Sequence, residues 1–272
     1  MNRKQLIGQI KTKKNYLCAG LDTDINKIPK HLLSHPDAVV QFNKAIIDAT
    51  KKYCIGYKIN TAFYEVLGAK GWGILEETIA HIPSTHLKIA DAKRGDIGNT
   101  SAQYAKTFFE TYSFDAVTVA PYMGEDSIRP FLEYENKFTI VLGLTSNKGA
   151  NDFELLKTSD NYFFYEKIIS TICNWGTPEN LMFVVGATQT HQLKNIRKII
   201  PEHFLLIPGV GAQGGSLKEV SEYGMNKDCS LIVNASRAII YKSSKENFAE
   251  EAANAAKEYA EEMQQYLTNM EF

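Results

Sequence analysis

Asp91, Lys93, Arg94 and Asp96 place four ionisable side chains within six residues, directly after the strand-like run Leu87-Lys88-Ile89-Ala90. Burying an unpaired charge is costly. Such a set persists at the end of a buried strand only where its members neutralise one another or meet a charged ligand. Strand residues two apart share a face, so Asp91 and Lys93 are expected to point the same way, with Asp96 reached after the Arg94-Gly95 turn. The result is an alternating array of carboxylate, ammonium and carboxylate. A surface salt-bridge cluster is the ordinary alternative, and charge spacing alone does not separate the two.

A second segment points to anion binding. LIPGVGAQGGS, residues 206–216, carries four glycines. Glycines let backbone N–H groups approach an anion, and the start of a following helix adds partial positive charge. VNASRAIIY, residues 233–241, then supplies Ser236 and Arg237. An arginine holds a phosphate through two parallel N–H bonds. Neither a GK[ST] nucleotide loop nor a GxGxxG dinucleotide fingerprint is present.

The elements that position these residues follow from periodicity. Strand-like runs recur at 16–21, 55–59, 87–90, 116–119, 138–144, 181–185, 204–207 and 231–233. Helical periods fall between many of them, at 38–50, 73–82, 101–112, 162–173, 191–200 and 216–223, with a last one at 245–267. Leu6, Ile7 and Ile10 predict an amphipathic helix ahead of the first strand. Strands alternating with helices pair in parallel through helical crossovers. Eight such units in 272 residues predict an α/β fold of the closed (β/α)8 (TIM) barrel type. No Pro- or Ser-rich linker or composition break divides the chain, so 1–272 reads as one domain. Asp22, Lys58, Asp91, Lys93, Ser146, Pro208 and Arg237 all fall at or just beyond the ends of these runs. In a barrel those C-terminal ends converge on one mouth, where catalytic residues sit; the loops after strands seven and eight are its recurrent phosphate site.

Bulk properties restrict the partners. A net charge of -1 with 44% hydrophobic and 22% charged residues is ordinary for a globular enzyme and gives no field to attract nucleic acid or an anionic membrane. No apolar run approaches the ~18–20 residues of a membrane span, and the N-terminal segment lacks the pattern of a secretory signal. Cys18, Cys54, Cys173 and Cys229 are far apart and read as reduced thiols filling apolar gaps in a cytoplasmic protein. The six histidines share no metal-ligand spacing and read as packed or solvated imidazoles.

The segments LCAGLDTD, YKINTAFYE, DAKRGDIGNT, VAPYMGEDSIRPF, GLTSNKGANDF, VVGAT, LIPGVGAQGGS and VNASRAIIY run in order from Leu17 to Tyr241. Together they resemble orotidine 5′-phosphate decarboxylases, particularly the longer bacterial subfamily. The DxKxxD pattern alone is shared with other phosphate-binding barrels; the whole series is specific. The resemblance implies that Asp22 contacts the ribose hydroxyls, that Lys58 and Asp91 position the sugar and the reacting ring, and that Lys93 delivers a proton to C6 as CO2 leaves. It implies a homodimer with shared sites, in which Asp96 and Thr100 enter the neighbouring subunit's site. Ser146 would bind the pyrimidine, and Pro208, Gln213, Ser236 and Arg237 the phosphate end. Orotidine 5′-phosphate and uridine 5′-phosphate are the small-molecule partners implied, with no cofactor and no metal. Two positions depart from the pattern: Ser236 stands where glycine is common, and Asn147-Lys148-Gly149 replaces His-Pro-Gly.

The chemistry accounts for the residue types. Loss of CO2 from C6 leaves a poorly delocalised carbanion, which a preplaced cation stabilises. One opposite-charge pair at ~4 Å contributes about 4 kcal/mol at an effective dielectric near 20, part of the roughly 8–23 kcal/mol that enzymes supply. Binding of the remote phosphate must provide more. Two other readings start from the same motif. A metal-dependent sugar-phosphate decarboxylase or aldolase-like barrel would offer a carboxylate for Mg²⁺ at the strand-two position, where this chain has Lys58. A catalytically inert phosphate-binding barrel would not need Lys58, Asp91, Lys93 and Asp96 together.

Overall fold

The computed structural model describes residues 1–211 and 214–269. Helix α1 (Arg3–Lys13) begins on a capping box: the Asn2 side chain accepts from the Gln5 N–H while the Gln5 side chain accepts from that of Asn2. After it, strands and helices alternate as β1 (Leu17–Gly20), α2 (Ala38–Thr50), β2 (Gly56–Asn60), the single turn α3 (Ala62–Glu65), α4 (Ala69–His81), β3 (Leu87–Arg94), α5 (Gly98–Lys106), β4 (Ala116–Val119), α6 (Glu125–Leu132) and β5 (Phe138–Leu144). The second half runs α7 (Phe164–Ile172), β6 (Leu181–Val185), α8 (Thr190–Ile199), β7 (Phe204–Pro208), α9 (Leu217–Gly224), β8 (Leu231–Ala235), the short α10 (Arg237–Ile240) and α11 (Phe248–Thr268).

Among the described residues the eight strands close in sequence order, all parallel, with β1 bonded to both β2 and β8. This is the (β/α)8 barrel expected from the eight-fold alternation. Strand burial is nearly complete: β1, β4, β6 and β8 are buried at every position. That is why these strands read as continuous apolar runs and not as alternating ones. Phe42, Phe108, Phe114, Phe131 and Phe183 are fully buried, each worth roughly 1.5–3 kcal/mol of burial.

At the end opposite the strand C-termini, α1 spans the barrel. Arg3 pairs with Asp228 just before β8, and Lys13 donates to the Lys51 carbonyl before β2. His86 and His203 are buried at this end, as packed imidazoles; burial, reinforced by Arg197 and Arg3, holds His203 down to about 4. All four cysteines are free thiols, three of them buried.

Differences from the periodicity reading have local causes. Helix α6 carries Pro130 within its span, which obscures its helical signal, and Glu125 and Asp126 in its first turn favour the helix dipole. Residues 107–111, expected as the end of one helix, form a π-helical turn after α5. The long connection between β5 and β6 holds a 3-10 turn, Lys148–Asp152, and an antiparallel bridge between Lys157 and Phe163 before α7.

Candidate active site

Lys58 is the buried centre of the barrel mouth. It is the central residue of β2, its side chain 4% exposed, its Nζ 2.7 Å from Asp91 and 3.5 Å from Asp22. Burial opposes charge on this lysine, but the Asp22 and Asp91 carboxylates outweigh it and hold the ammonium above its ordinary range. Asp91 accepts from Lys58 through one oxygen and from Lys93, at 2.5 Å, through the other. Burial alone would raise its carboxyl; Lys58 and Lys93 reverse that and hold it well below the usual carboxylate range. The array Asp22–Lys58–Asp91–Lys93 is therefore charge-balanced within one chain. Lys93, 50% exposed, is its solvent-facing end.

Asp91 and Lys93 do meet, but not by simple strand alternation. β3 follows β4 in register at Ile89 and Ala90, then shifts so that Arg94 pairs with Val119. Lys93 takes φ +47°, the left-handed region that side chains other than glycine seldom adopt. This bulge brings both side chains to the same side of the mouth.

A cavity of about 490 Å³ opens beside the array, lined by Lys58, Asp91, Lys93 and Pro208, with Ser146 and Thr188 on its polar wall and Leu142, Val184 and Leu206 beneath. Ser146 has room because residue 186 is glycine: a Cβ there would lie 2.5 Å from the serine Oγ. The loop carrying Ser146 is held by Glu154, whose carboxylate accepts from the backbone N–H and the hydroxyl of Thr145. A second cavity of about 160 Å³ shares Lys58, Asp91 and Pro208 and extends to Asp22, Gly209, Asn234, Ser236 and Arg237. Its glycine turn follows β7, with Gly209 at φ +96° and Gly211 at φ +74°. Asn234 Oδ1 and Asp22 Oδ1, the latter facing Lys58 Nζ at 3.5 Å, are buried oxygens that accept no hydrogen bond.

The structure thus brings together Asp22, Lys58, Asp91, Lys93, Ser146, Pro208, Ser236 and Arg237 around one mouth. Ser236 is accommodated by Gly20: its hydroxyl donates to the Gly20 carbonyl at 3.2 Å, and a Cβ at residue 20 would lie 2.5 Å from the serine Cβ. Asp96 and Thr100 line neither cavity of their own chain. Asp96 caps the Ile97 N–H instead, and Thr100 is exposed on α5. Gln213 lies outside the described residues. Thr118 and Glu154 were not among the residues expected at the mouth, and Asn234 was expected there only as a polar strand end. Thr118 and Glu154 carry no local signal. Among the described residues, no three His, Cys, Asp or Glu side chains converge as a metal-ligand set.

A closed parallel barrel whose strand ends gather a balanced lysine–carboxylate array and a glycine-lined arginine cavity defines a (β/α)8-barrel enzyme. A family model described as "Orotidine 5′-phosphate decarboxylase / HUMPS family" matches residues 15–252. An orotidine 5′-phosphate decarboxylase of Bacteroides fragilis is 57% identical over 270 residues, 98% of either chain. One of Christiangramia forsetii is 56% identical over 273 residues, 99% of this chain and 100% of the other. The solved structure of Leishmania donovani OMP decarboxylase superposes with a TM-score of 0.83 at 34% identity, covering 98% of each chain. The chain belongs to the orotidine 5′-phosphate decarboxylase / HUMPS family.

Proposed function

We infer that this chain is a carboxy-lyase that converts orotidine 5′-phosphate to uridine 5′-phosphate and CO2, the last step of de novo UMP biosynthesis, without metal or cofactor. The observation that carries this reading is the array Asp22–Lys58–Asp91–Lys93, with its outer ammonium at the wall of the larger cavity. In the reaction the C6–carboxylate bond breaks and its electron pair stays on C6. Lys93 gives that carbon a proton, leaves as the neutral amine and regains a proton from water. Asp91 holds the Lys93 ammonium at the reacting position, and Lys58 balances Asp91 so that the carboxylate stays ionised in a buried setting.

Substrate binding divides between the two cavities. Ser146 and the apolar floor suit a pyrimidine, while Arg237 and the turn at Gly209 suit the phosphate. The ribose hydroxyls supply donors to Asp22 Oδ1 and Asn234 Oδ1. Gln213 belongs to the phosphate set on the resemblance alone. Metal-assisted chemistry fits the residues poorly, because the strand-two position that would hold a cation carries the Lys58 ammonium.

The same reading makes 1–272 one barrel domain working as a cytoplasmic homodimer, with Asp96 and Thr100 completing the partner's site. Among the described residues, no helix is long and apolar enough to cross a membrane. The direct test is ultraviolet detection of orotidine 5′-phosphate loss by purified protein in excess chelator. Turnover is expected to be undiminished and Lys93→Ala to abolish it. Dependence on added Mg²⁺, or no turnover, overturns the reading.

A further inference from the structure

We propose that Thr118 is a positioning residue for the decarboxylation, holding Lys93 and Asp91 in reacting geometry through one buried hydroxyl. The observation begins with the β3–β4 ladder. Ala90 pairs with Val117 and Arg94 with Val119, so residues 91 to 93 of β3 stand opposite the single residue Thr118 of β4. A regular ladder cannot serve three residues with one. Where backbone pairing lapses, the Thr118 side chain takes over. Its Oγ1 accepts the Lys93 backbone N–H at 2.9 Å and donates to Asp91 Oδ1 at 3.1 Å. Asp91 Oδ1 is also the oxygen that Lys93 Nζ contacts.

One hydroxyl therefore closes a ring through the backbone of Lys93, the carboxylate of Asp91 and the ammonium of Lys93. Thr118 is 1% exposed, so water does not readily replace that hydroxyl. The left-handed φ of Lys93 persists only if its surroundings over-determine it, and the bond from its N–H to Thr118 does so. The β-branched side chain adds a restricted χ1, which directs the hydroxyl. Thr118 lines neither cavity, so it acts through Asp91 and Lys93 and not on the substrate.

The inference rests on the decarboxylase reading, and the test separates the two. Turnover of orotidine 5′-phosphate and affinity for uridine 5′-phosphate are measured for the wild type, Thr118→Val, Thr118→Ser and Thr139→Val. Thr139 is a buried threonine on β5 whose hydroxyl has no partner, so its valine variant controls for the substitution itself. Thr118→Val is expected to lose at least tenfold in kcat with less than threefold change in nucleotide affinity. Thr118→Ser and Thr139→Val are expected to stay within threefold of wild type in both. If Thr118→Val does not fold, Thr118→Ala is read by the same criteria. An inactive wild type overturns the functional reading. An active wild type overturns the positioning role if the Thr118→Val kcat is unchanged, if kcat and affinity fall together, or if Thr118→Ser fails to restore kcat.

Discussion

The ion array at the mouth bears on stability, and Asp91→Asn isolates the effect. The amide keeps the shape of the side chain and removes its charge. Lys58, 4% exposed, then keeps only Asp22 at 3.5 Å in place of Asp91 at 2.7 Å. At an effective dielectric near 20, the attraction at that shorter separation is about 6 kcal/mol. Relaxation and residual solvation return part of it, and removing one member of a buried pair costs about 3–5 kcal/mol. At about 2 °C per kcal/mol for a chain of this size, the unfolding midpoint at pH 7 is expected to fall by about 6–10 °C. Urea and thermal unfolding of wild type, Asp91→Asn, Lys58→Met and the double variant form the assay. Each single variant strands a charge that the double variant does not, so the double is expected to be less destabilised than the sum by at least ~1 kcal/mol. The pH dependence has a definite sign. A carboxyl held below its ordinary value contributes stability that is full above about pH 4 and is lost as pH falls toward its folded value. Wild type and Asp91→Asn should therefore converge in stability in strong acid. Additive losses, or Asp91→Asn as stable as wild type at pH 7, would refute the claim that these charges support one another.

Two further outcomes follow from the same geometry. Arg237→Ala is expected to lower kcat/KM for orotidine 5′-phosphate by at least a hundredfold while leaving the unfolding midpoint within about 2 °C of wild type, since a surface change typically stays within ±0.5 kcal/mol; undiminished kcat/KM removes Arg237 from the phosphate site. Lys93→Ala and Asp96→Ala, each nearly inactive alone, should recover about a quarter of wild-type activity on random subunit exchange, because half the dimers are hybrids with one intact site each. No recovery after confirmed exchange places Asp96 outside the partner's site.

Much of this molecule was legible as text. Eight apolar runs separated by helical periods specify a (β/α)8 barrel because burial of both strand faces and one helix face is a local, periodic demand. The polar residues in the last part of those runs or just beyond them mark the mouth, because strand C-termini converge there and buried opposite charges can pair. Asp22, Lys58, Asp91, Lys93, Ser146 and Arg237 were found that way, and they line the two connected cavities. Helix α6 was missed because Pro130 carries a local signal that contradicts the tertiary outcome.

What tertiary structure alone decided is how these residues meet. Strand alternation implied that Asp91 and Lys93 share a side, but the side is set by a bulge whose partner, Thr118, lies 25 residues from Lys93. The tolerance of Ser236 depends on Gly20, 216 residues away, and the space for Ser146 on Gly186. Such dependences leave no period in the sequence, because they arise between strands that become neighbours only when the barrel closes. Residue order and periodicity settle which residue types gather at the mouth. The closed sheet decided their register, and with it which carboxylate holds which lysine.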